Sequence, residues 1–369
     1  MPLPSPRLWR RLLVVAGLSL PACTPRSQPD TTPPNPTTGP DDERLTDPPA
    51  IERSAELMST GQPAAALKLL DEALAKRSDD PELHYARGIA LEQLARPQDA
   101  IVAWQAAIAL KPDFYPAHNG IGAIQLDAGQ AEPAARAFEA AIAAKPDFSD
   151  AHYNLARAYL LLAQPERALA ELETANRLAP EDVDVLALLT EVYRKAGRAD
   201  EALATARAAV QRAPEDPELH RALASILMEK DLHAEAQAEF AATLQRRPDD
   251  VDAKLGLARA LIKLDRAEEA LVPLADLAAR VPDQAIVWSE WGAALAKLGR
   301  FPGPEGALAK LDRALQLKPD LASAHIRKIG ALADNRQCKP AREALKAFTA
   351  RKPRPEAIEK AKAAAAACK

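Results

Sequence analysis

A period of 34 residues governs this chain. From Pro81 to Gln284, six stretches of that length follow one another without a gap. One column reads Pro112, Pro146, Pro180, Pro214, Pro248 and Pro282, and another reads Ala100, Ala134, Ala168, Ala202, Ala236 and Ala270. A third stays small or short, with Gly88, Gly122, Ala156, Thr190, Ala224, Ala258 and Gly292. A fixed period of this length means that each repeat buries its apolar face against its neighbours, so the chain folds as an array rather than around one core.

The pattern inside one repeat is that of two helices. With Pro81 as position 1, apolar residues recur at helical spacing in the first half (Leu83, Leu91, Leu94) and in the second (Ile101, Trp104, Ile108, Leu110). Proline at position 32 follows the second helix, where its missing N–H and its ring stop propagation. Asp80 and Asp216 can cap the helices that open with Pro81 and Pro217. Gly129, Gly197 and Gly299 stand between the two helices, where a left-handed residue is wanted. Only 4% of the chain is aromatic, which suits a thin array of small helices and not a large single core.

These columns resemble the tetratricopeptide repeat: a small residue at position 8, alanine at 20, a bulky residue at 24 (Trp104, Phe138, Leu172, Phe240, Leu274) and proline at 32. The resemblance implies an all-α fold, an α-solenoid in which helix-turn-helix repeats form a right-handed superhelix. Residues 47–80 form a degenerate first repeat, and 81–321 hold seven more. The eighth carries three extra residues around Phe301–Gly306, most simply a tolerated loop insertion. Residues 322–369 give a poor ninth repeat and a closing helix from Pro355 to Ala367.

The first 46 residues follow other rules. Arg7, Arg10 and Arg11 precede an apolar run from Leu12 to Leu20, too short to span a bilayer and of the form of a secretory signal. Leu20, Pro21, Ala22 and Cys23 resemble the bacterial lipoprotein box, although Pro21 departs from the commoner small residue. That resemblance implies a signal peptide over 1–22 and acylation of Cys23. It also implies an outer-membrane lipoprotein facing the periplasm, since Thr24 is not the aspartate that retains such proteins in the inner membrane. From residue 23 to 46 the chain is rich in Pro, Thr and Asp and cannot form a core, so it is expected to be a disordered tether. About 23 residues in an extended state reach on the order of 70 Å.

Chemistry-bearing motifs are absent from the sequence. There is no phosphate-binding glycine loop, no nucleophile elbow, no His-Glu-x-x-His and no pair of CxxC motifs, so the chain is expected to be neither an enzyme nor a cofactor or metal binder. His84, His118, His152, His220 and His325 all fall at position 4, where Trp288 stands in the eighth repeat. Helix axes about 8 to 10 Å apart cannot bring such a ladder onto one zinc ion, and packing is the expected role.

Positions 2, 5, 9, 12 and 13 form one stripe on the first helix of each repeat. The family resemblance makes this the concave, partner-binding face. Here it carries Tyr85, Ile89, Asn119, Leu126, Tyr153, Arg157, Leu160 and Leu161, an apolar and tyrosine-bearing patch. Arg194, Arg221 and Arg259 follow as a basic ledge. Tyr159, Leu160, Leu161 and Leu162 run in succession, so two of them are expected to face the groove. A protein or peptide partner is implied, either an extended segment or a helix with acidic flanks. Cover by neighbouring repeats is the alternative reading of the stripe.

Residues 322–369 hold 12 Lys and Arg against 4 Asp and Glu, whereas the whole chain has a formal net charge of -4. Such a basic end is open to an anionic lipid surface, to peptidoglycan carboxylates or to an acidic subunit, and is otherwise a solvated cap. Nucleic acid is a poor partner for an exported protein. With Cys23 acylated, Cys338 and Cys368 remain. Antiparallel packing of the last two helices predicts a disulfide between them, the other outcome being two free thiols. The expected function is a non-catalytic scaffold at the outer membrane, similar to the repeat lipoproteins that assemble pili or secretion channels or recruit peptidoglycan enzymes. A cytoplasmic adaptor with the same groove is the alternative.

Overall fold

The computed structural model describes residues 50–368, so the expected signal segment, Cys23 and the tether lie outside the described residues. Nineteen α-helices and no strand occur among them. None of these helices is long and apolar enough to cross a membrane. The chain divides at Pro180 into two compact units.

The N-terminal unit holds α1 (Ala50–Ser59), α2 (Pro63–Lys76), α3 (Pro81–Gln93), α4 (Pro97–Leu110), α5 (Tyr115–Asp127), α6 (Ala131–Ala144), α7 (Ser149–Leu161) and α8 (Pro165–Leu178). Each odd-numbered helix pairs with the next, and the pairs stack in chain order. Asp80 caps α3 as its spacing suggests, its carboxylate accepting the N–H groups of Glu82 (3.0 Å) and Leu83 (3.2 Å). Such a cap contributes about 1 kcal/mol.

Close approach within a pair depends on the small columns. The position-20 alanines Ala66, Ala100, Ala134 and Ala168 are fully buried. A Cβ on Gly88 would lie 2.2 Å from Trp104 Nε1, and one on Gly120 would lie 2.9 Å from the same indole. Trp104 thus fills the space left by two glycines, one in its own repeat and one in the next. Its Nε1–H donates to the Tyr85 carbonyl (3.1 Å). Where position 24 shrinks to Leu172, position 8 grows to Ala156, and both are fully buried.

The C-terminal unit runs through α9 (Val183–Lys195), α10 (Ala199–Arg212), α11 (Pro217–Glu229), α12 (His233–Arg246), α13 (Val251–Lys263), α14 (Ala267–Arg280), α15 (Ala285–Lys297), α16 (Ala307–Leu317), α17 (Ala322–Asp334), α18 (Cys338–Ala350) and α19 (Pro355–Ala364). Asp216 accepts the Glu218 N–H at 2.8 Å, and Asp182 and Asp250 cap α9 and α13 in the same way.

The turn inside each repeat is uniform. Gly129, Gly197 and Gly299 have φ of 74°, 73° and 68°, but Ala95, Ala163, Asp231, Asp265 and Arg336 adopt φ between 54° and 60° at the equivalent place. The following N–H reaches back five residues, as from Arg96 to the Leu91 carbonyl (2.9 Å) and from Gln164 to that of Tyr159 (2.8 Å). This bond closes the helix end whatever the side chain, so glycine is favoured there without being required.

Two features of this unit add to what its sequence displays. The three extra residues of the eighth repeat do more than lengthen a loop. The Glu305 carboxylate sits 2.6 Å from Nζ of Lys310, a buried lysine whose ammonium also lies over Trp291, 4.3 Å from the ring centre. The insertion therefore supplies the counter-charge that lets a lysine be buried beside the stacked pair Trp288 and Trp291. The ninth repeat, poor in sequence, is regular in structure. It forms a full helix pair, α17 and α18, with the same left-handed turn at Arg336.

The closing helix α19 ends at Ala364, and a short 3-10 turn over Ala366–Cys368 follows. Cys368 is joined to Cys338 by a disulfide with the Cα atoms 5.1 Å apart. Leu332 of α17 and Ala341 of α18 form the small core that holds the two cysteines, and Ile329 of α17, Phe348 of α18 and Ala361 of α19 form a second one.

Candidate partner-binding face

The first helices of the repeats in the N-terminal unit, α3, α5 and α7, carry the predicted stripe, and burial divides it. Tyr85, Ile89, Asn119 and Leu126 are between 2% and 5% exposed, so they form a floor and offer no side-chain surface to a partner. Tyr85 packs edge-on against Phe114 (5.4 Å between ring centres) and tilted against Trp104 (6.3 Å). Ile89 belongs to the same core. The apolar patch expected over repeats two to four is therefore closed at its beginning, where Trp104 and Phe114 cover Tyr85.

It opens on α7. Leu161 is 62% exposed, Leu160 is half-buried and Tyr153 and Arg157 are half-buried beside them. Of the four consecutive large residues, Tyr159 turns inward, Leu161 turns out, and Leu160 and Leu162 are half-buried between them. Burial first, then the hydrogen bond that its hydroxyl donates to Glu139 (2.8 Å), pushes the Tyr159 phenol up to about 12, so it remains a donor at any ordinary pH.

A polar seam backs the open stretch. The Asn154 side-chain amide donates to Oδ1 of buried Asn119 at 3.1 Å, joining α7 to α5. Arg157 reaches the Asn154 side-chain oxygen (3.4 Å), lies over the Tyr153 ring (5.9 Å) and comes within 3.9 Å of Asp127. Position, not type, makes Asn154 part of the site, and only its contact across to Asn119 reveals it. The two asparagines are buried and satisfy one another, so the surface they back offers the Arg157 guanidinium and the Tyr153 ring next to exposed leucine, which suits an extended backbone or one face of a helix.

The expected basic ledge is present in position but not in charge. Arg194 faces Glu229 (3.3 Å), Arg259 bonds Glu290 (2.7 Å), and Arg221 pairs with Glu218 and stands 3.6 Å from Asp252. Glu290, a buried carboxylate, is held on its other oxygen by Arg327 (2.7 Å), which also donates to Ser289 (2.8 Å). Carboxylates one repeat further along neutralise each arginine, so a preference for acidic flanks in the partner finds no support here. Matching Asp and Glu lie about one repeat period away in sequence, beyond what spacing within one helix suggests.

The histidine ladder serves as a joint. His84, His118, His152, His220 and His325 each donate the Nε2 proton to a carbonyl six residues back, that of Ser78, Pro112, Pro146, Pro214 and Pro319, all at 2.9 Å. Trp288 does the same to Pro282 at 2.8 Å. Two rings have a further partner: His152 Nδ1 meets Glu171 (2.6 Å) and His220 Nδ1 meets Glu239 (2.5 Å). A ring that donates from both nitrogens is an imidazolium. The Glu171 hydrogen bond, opposed by burial and aided by the Pro146 carbonyl, raises the His152 pKa above its ordinary 6.5. Burial lowers that of His220, but the Glu239 and Pro214 contacts outweigh it and the net shift is again upward.

Comparison with known proteins agrees with the geometry. Models of the tetratricopeptide repeat match residues 54–117 and, in three overlapping or adjoining stretches, 125–192, 163–226 and 227–298. Among solved structures, pilF of Pseudomonas aeruginosa is 16% identical and superposes with a TM-score of 0.51 over 56% of this chain and 93% of its own. YrrB, described as a TPR protein with an unusual peptide-binding site, is 21% identical with a TM-score of 0.44 over 50% of this chain and 95% of its own. A thermophilic TPR protein of Thermus thermophilus, TTC0263, is 25% identical with a TM-score of 0.38 over 50% of this chain and 100% of its own. No curated protein matches the chain. The in-phase columns, the helix pairs that they form and the family matches together make this chain a tetratricopeptide-repeat protein, an all-α solenoid.

Proposed function

We propose that this protein is an interaction scaffold of the bacterial envelope, anchored by an acylated Cys23 and holding a segment of a partner protein against α7. The observation that carries the binding role is the open stretch of Leu160 and Leu161 beside Tyr153 and Arg157, after a stretch on α3 and α5 where Tyr85, Ile89 and Leu126 are buried. Exposed leucine next to a half-buried tyrosine and a guanidinium donor is suited to a partner's apolar anchor and backbone. The disulfide between Cys338 and Cys368 supports an oxidising compartment, and hence export, over a cytoplasmic adaptor. The outer membrane, facing the periplasm, is the destination that the residues after Leu20 favour, and assembly of an envelope complex is the role such a scaffold would serve.

A photo-crosslinking amino acid at Leu161 tests the binding face against one at Val272, which is 75% exposed but lies on a second helix, α14. Capture of a defined partner is expected at Leu161 alone. Leu160→Ser with Leu161→Ser should abolish that capture while stability falls by no more than about 1 kcal/mol, since neither side chain is fully buried. Equal capture at both sites, or a double variant that unfolds, would refute the reading. Detergent-phase partitioning that is lost in Cys23→Ser checks the anchor.

A further inference from the structure

The cations of the C-terminal unit fall into two populations. Between Glu181 and Asp334 the long basic side chains are paired with carboxylates almost throughout, for example Arg207 with Glu235 (2.5 Å), Arg280 with Asp249 (2.6 Å) and Lys328 with Asp312 (2.5 Å). After Asp334 the pattern breaks. Residues 336–368 hold nine Lys and Arg against Glu343, Glu356 and Glu359. Among the described residues, Lys362 with Glu359 is the one ion pair there (2.8 Å). Arg342 and Arg351 donate to the carbonyls of Cys368 and Pro319, which leaves their charge uncompensated. Arg336, Lys339, Lys346, Lys352, Arg354 and Lys360 are exposed, and none has a carboxylate of the described residues within ion-pair distance.

Their placement is not scattered. Lys339, Arg342 and Lys346 recur at steps of three and four, so they share one face of α18. Arg351, Lys352 and Arg354 cluster in the connection to α19. The disulfide fixes the start of α18 to the turn after α19, holding the two segments in one rigid cap.

We infer that this cap is a docking surface for an anionic lipid bilayer. Protein interfaces draw their affinity from Trp, Tyr and Arg anchors seated in well-packed, desolvated pockets, and the cap's arginines stand on a surface without exposed large apolar or aromatic side chains to build such a pocket. Among the described residues the exposed large hydrophobic side chains are Val102, Leu110, Leu161, Leu178 and Val272, none of them in the cap. Charge without an apolar anchor is what a layer of lipid phosphates requires, each Lys or Arg near the surface strengthening attachment about fivefold. The inference is independent of the groove on α7 and of the state of Cys23.

The test uses the full chain carrying Cys23→Ser, so that no acyl group contributes, and vesicles of phosphatidylcholine with or without about one third phosphatidylglycerol. Co-sedimentation with the phosphatidylglycerol vesicles alone is expected, weakening strongly between about 0.1 and 0.5 M salt. Lys346→Gln and Lys360→Gln, both at exposed positions, should each weaken it about fivefold. Lys339→Gln, Lys346→Gln, Lys352→Gln, Arg354→Gln and Lys360→Gln combined should abolish it. Equal sedimentation with both vesicles, no sedimentation with either, or unchanged binding by the single variants would overturn the inference. Binding to polyglutamate without binding to vesicles would overturn it in favour of an acidic protein partner.

Discussion

Trp104 and its two glycines show how much a single column decides. The indole occupies volume that a Cβ at Gly88 would need, at a separation no real contact shows. Gly88→Ala should therefore destabilise the N-terminal unit by about 1 to 3 kcal/mol, since the ring is walled in and cannot swing aside. Adding Trp104→Leu should restore much of the loss, because Ala156 with Leu172 is the same pair of sizes already used in the fourth repeat. Denaturant unfolding of the two single variants and the double variant gives the coupling, and additive losses would show that the two columns do not compensate. This size exchange was legible in the sequence only in part. Position 8 and position 24 announce themselves by their period, but the second glycine, Gly120, lies in the next repeat and outside both columns.

At the scale of elements, six of the joints between helix pairs carry a ring N–H aimed at a carbonyl of the connection just before it, while Leu186 and Lys254 stand at that place in two other repeats. Indole and imidazole serve alike because both carry that donor at the same reach. His152 and His220 add a carboxylate on the other nitrogen, and for these two the joint depends on pH. Their folded pKa values are raised, so the stabilisation is fully present below the ordinary 6.5 and is lost as pH rises through the folded values. Melting temperature is expected to fall with rising pH over that window, and Glu171→Gln with Glu239→Gln should flatten the profile, at a loss on the order of 1 kcal/mol per pair in mildly acidic buffer. A profile unchanged by the substitutions would mean that the rings are neutral in the fold. The sequence showed the ladder's register, yet it did not show the acceptor, because a carbonyl has no letter. Nor could it show that Tyr85, Ile89, Asn119 and Leu126 are covered while Leu160 and Leu161 are not. Tyr85 is covered because Trp104 and Phe114 pack on it, contacts that no column of the sequence displays, whereas the stripe itself comes from the period.

For the whole molecule, an array with contacts only between neighbours lets one end loosen without the rest. The disulfide is placed at such an end. It closes a loop of 30 residues over α18 and α19, worth on the order of 3 kcal/mol in the unfolded-chain account. Reduction is expected to speed hydrogen exchange in α19 and the last turn of the chain while leaving α3 to α8 unchanged, and exchange that rises everywhere would show the chain to be one cooperative unit. The histidine joints carry a different consequence, for how such a chain can have come about. Residues 115–148 bring a donor, His118, for the repeat before and an acceptor, the Pro146 carbonyl, for the repeat after. A copy of that segment inserted in frame would arrive with both halves of its joints already matched. Lengthening by recombination then needs no new interface to be invented, and the number of repeats is free to drift under selection for reach alone.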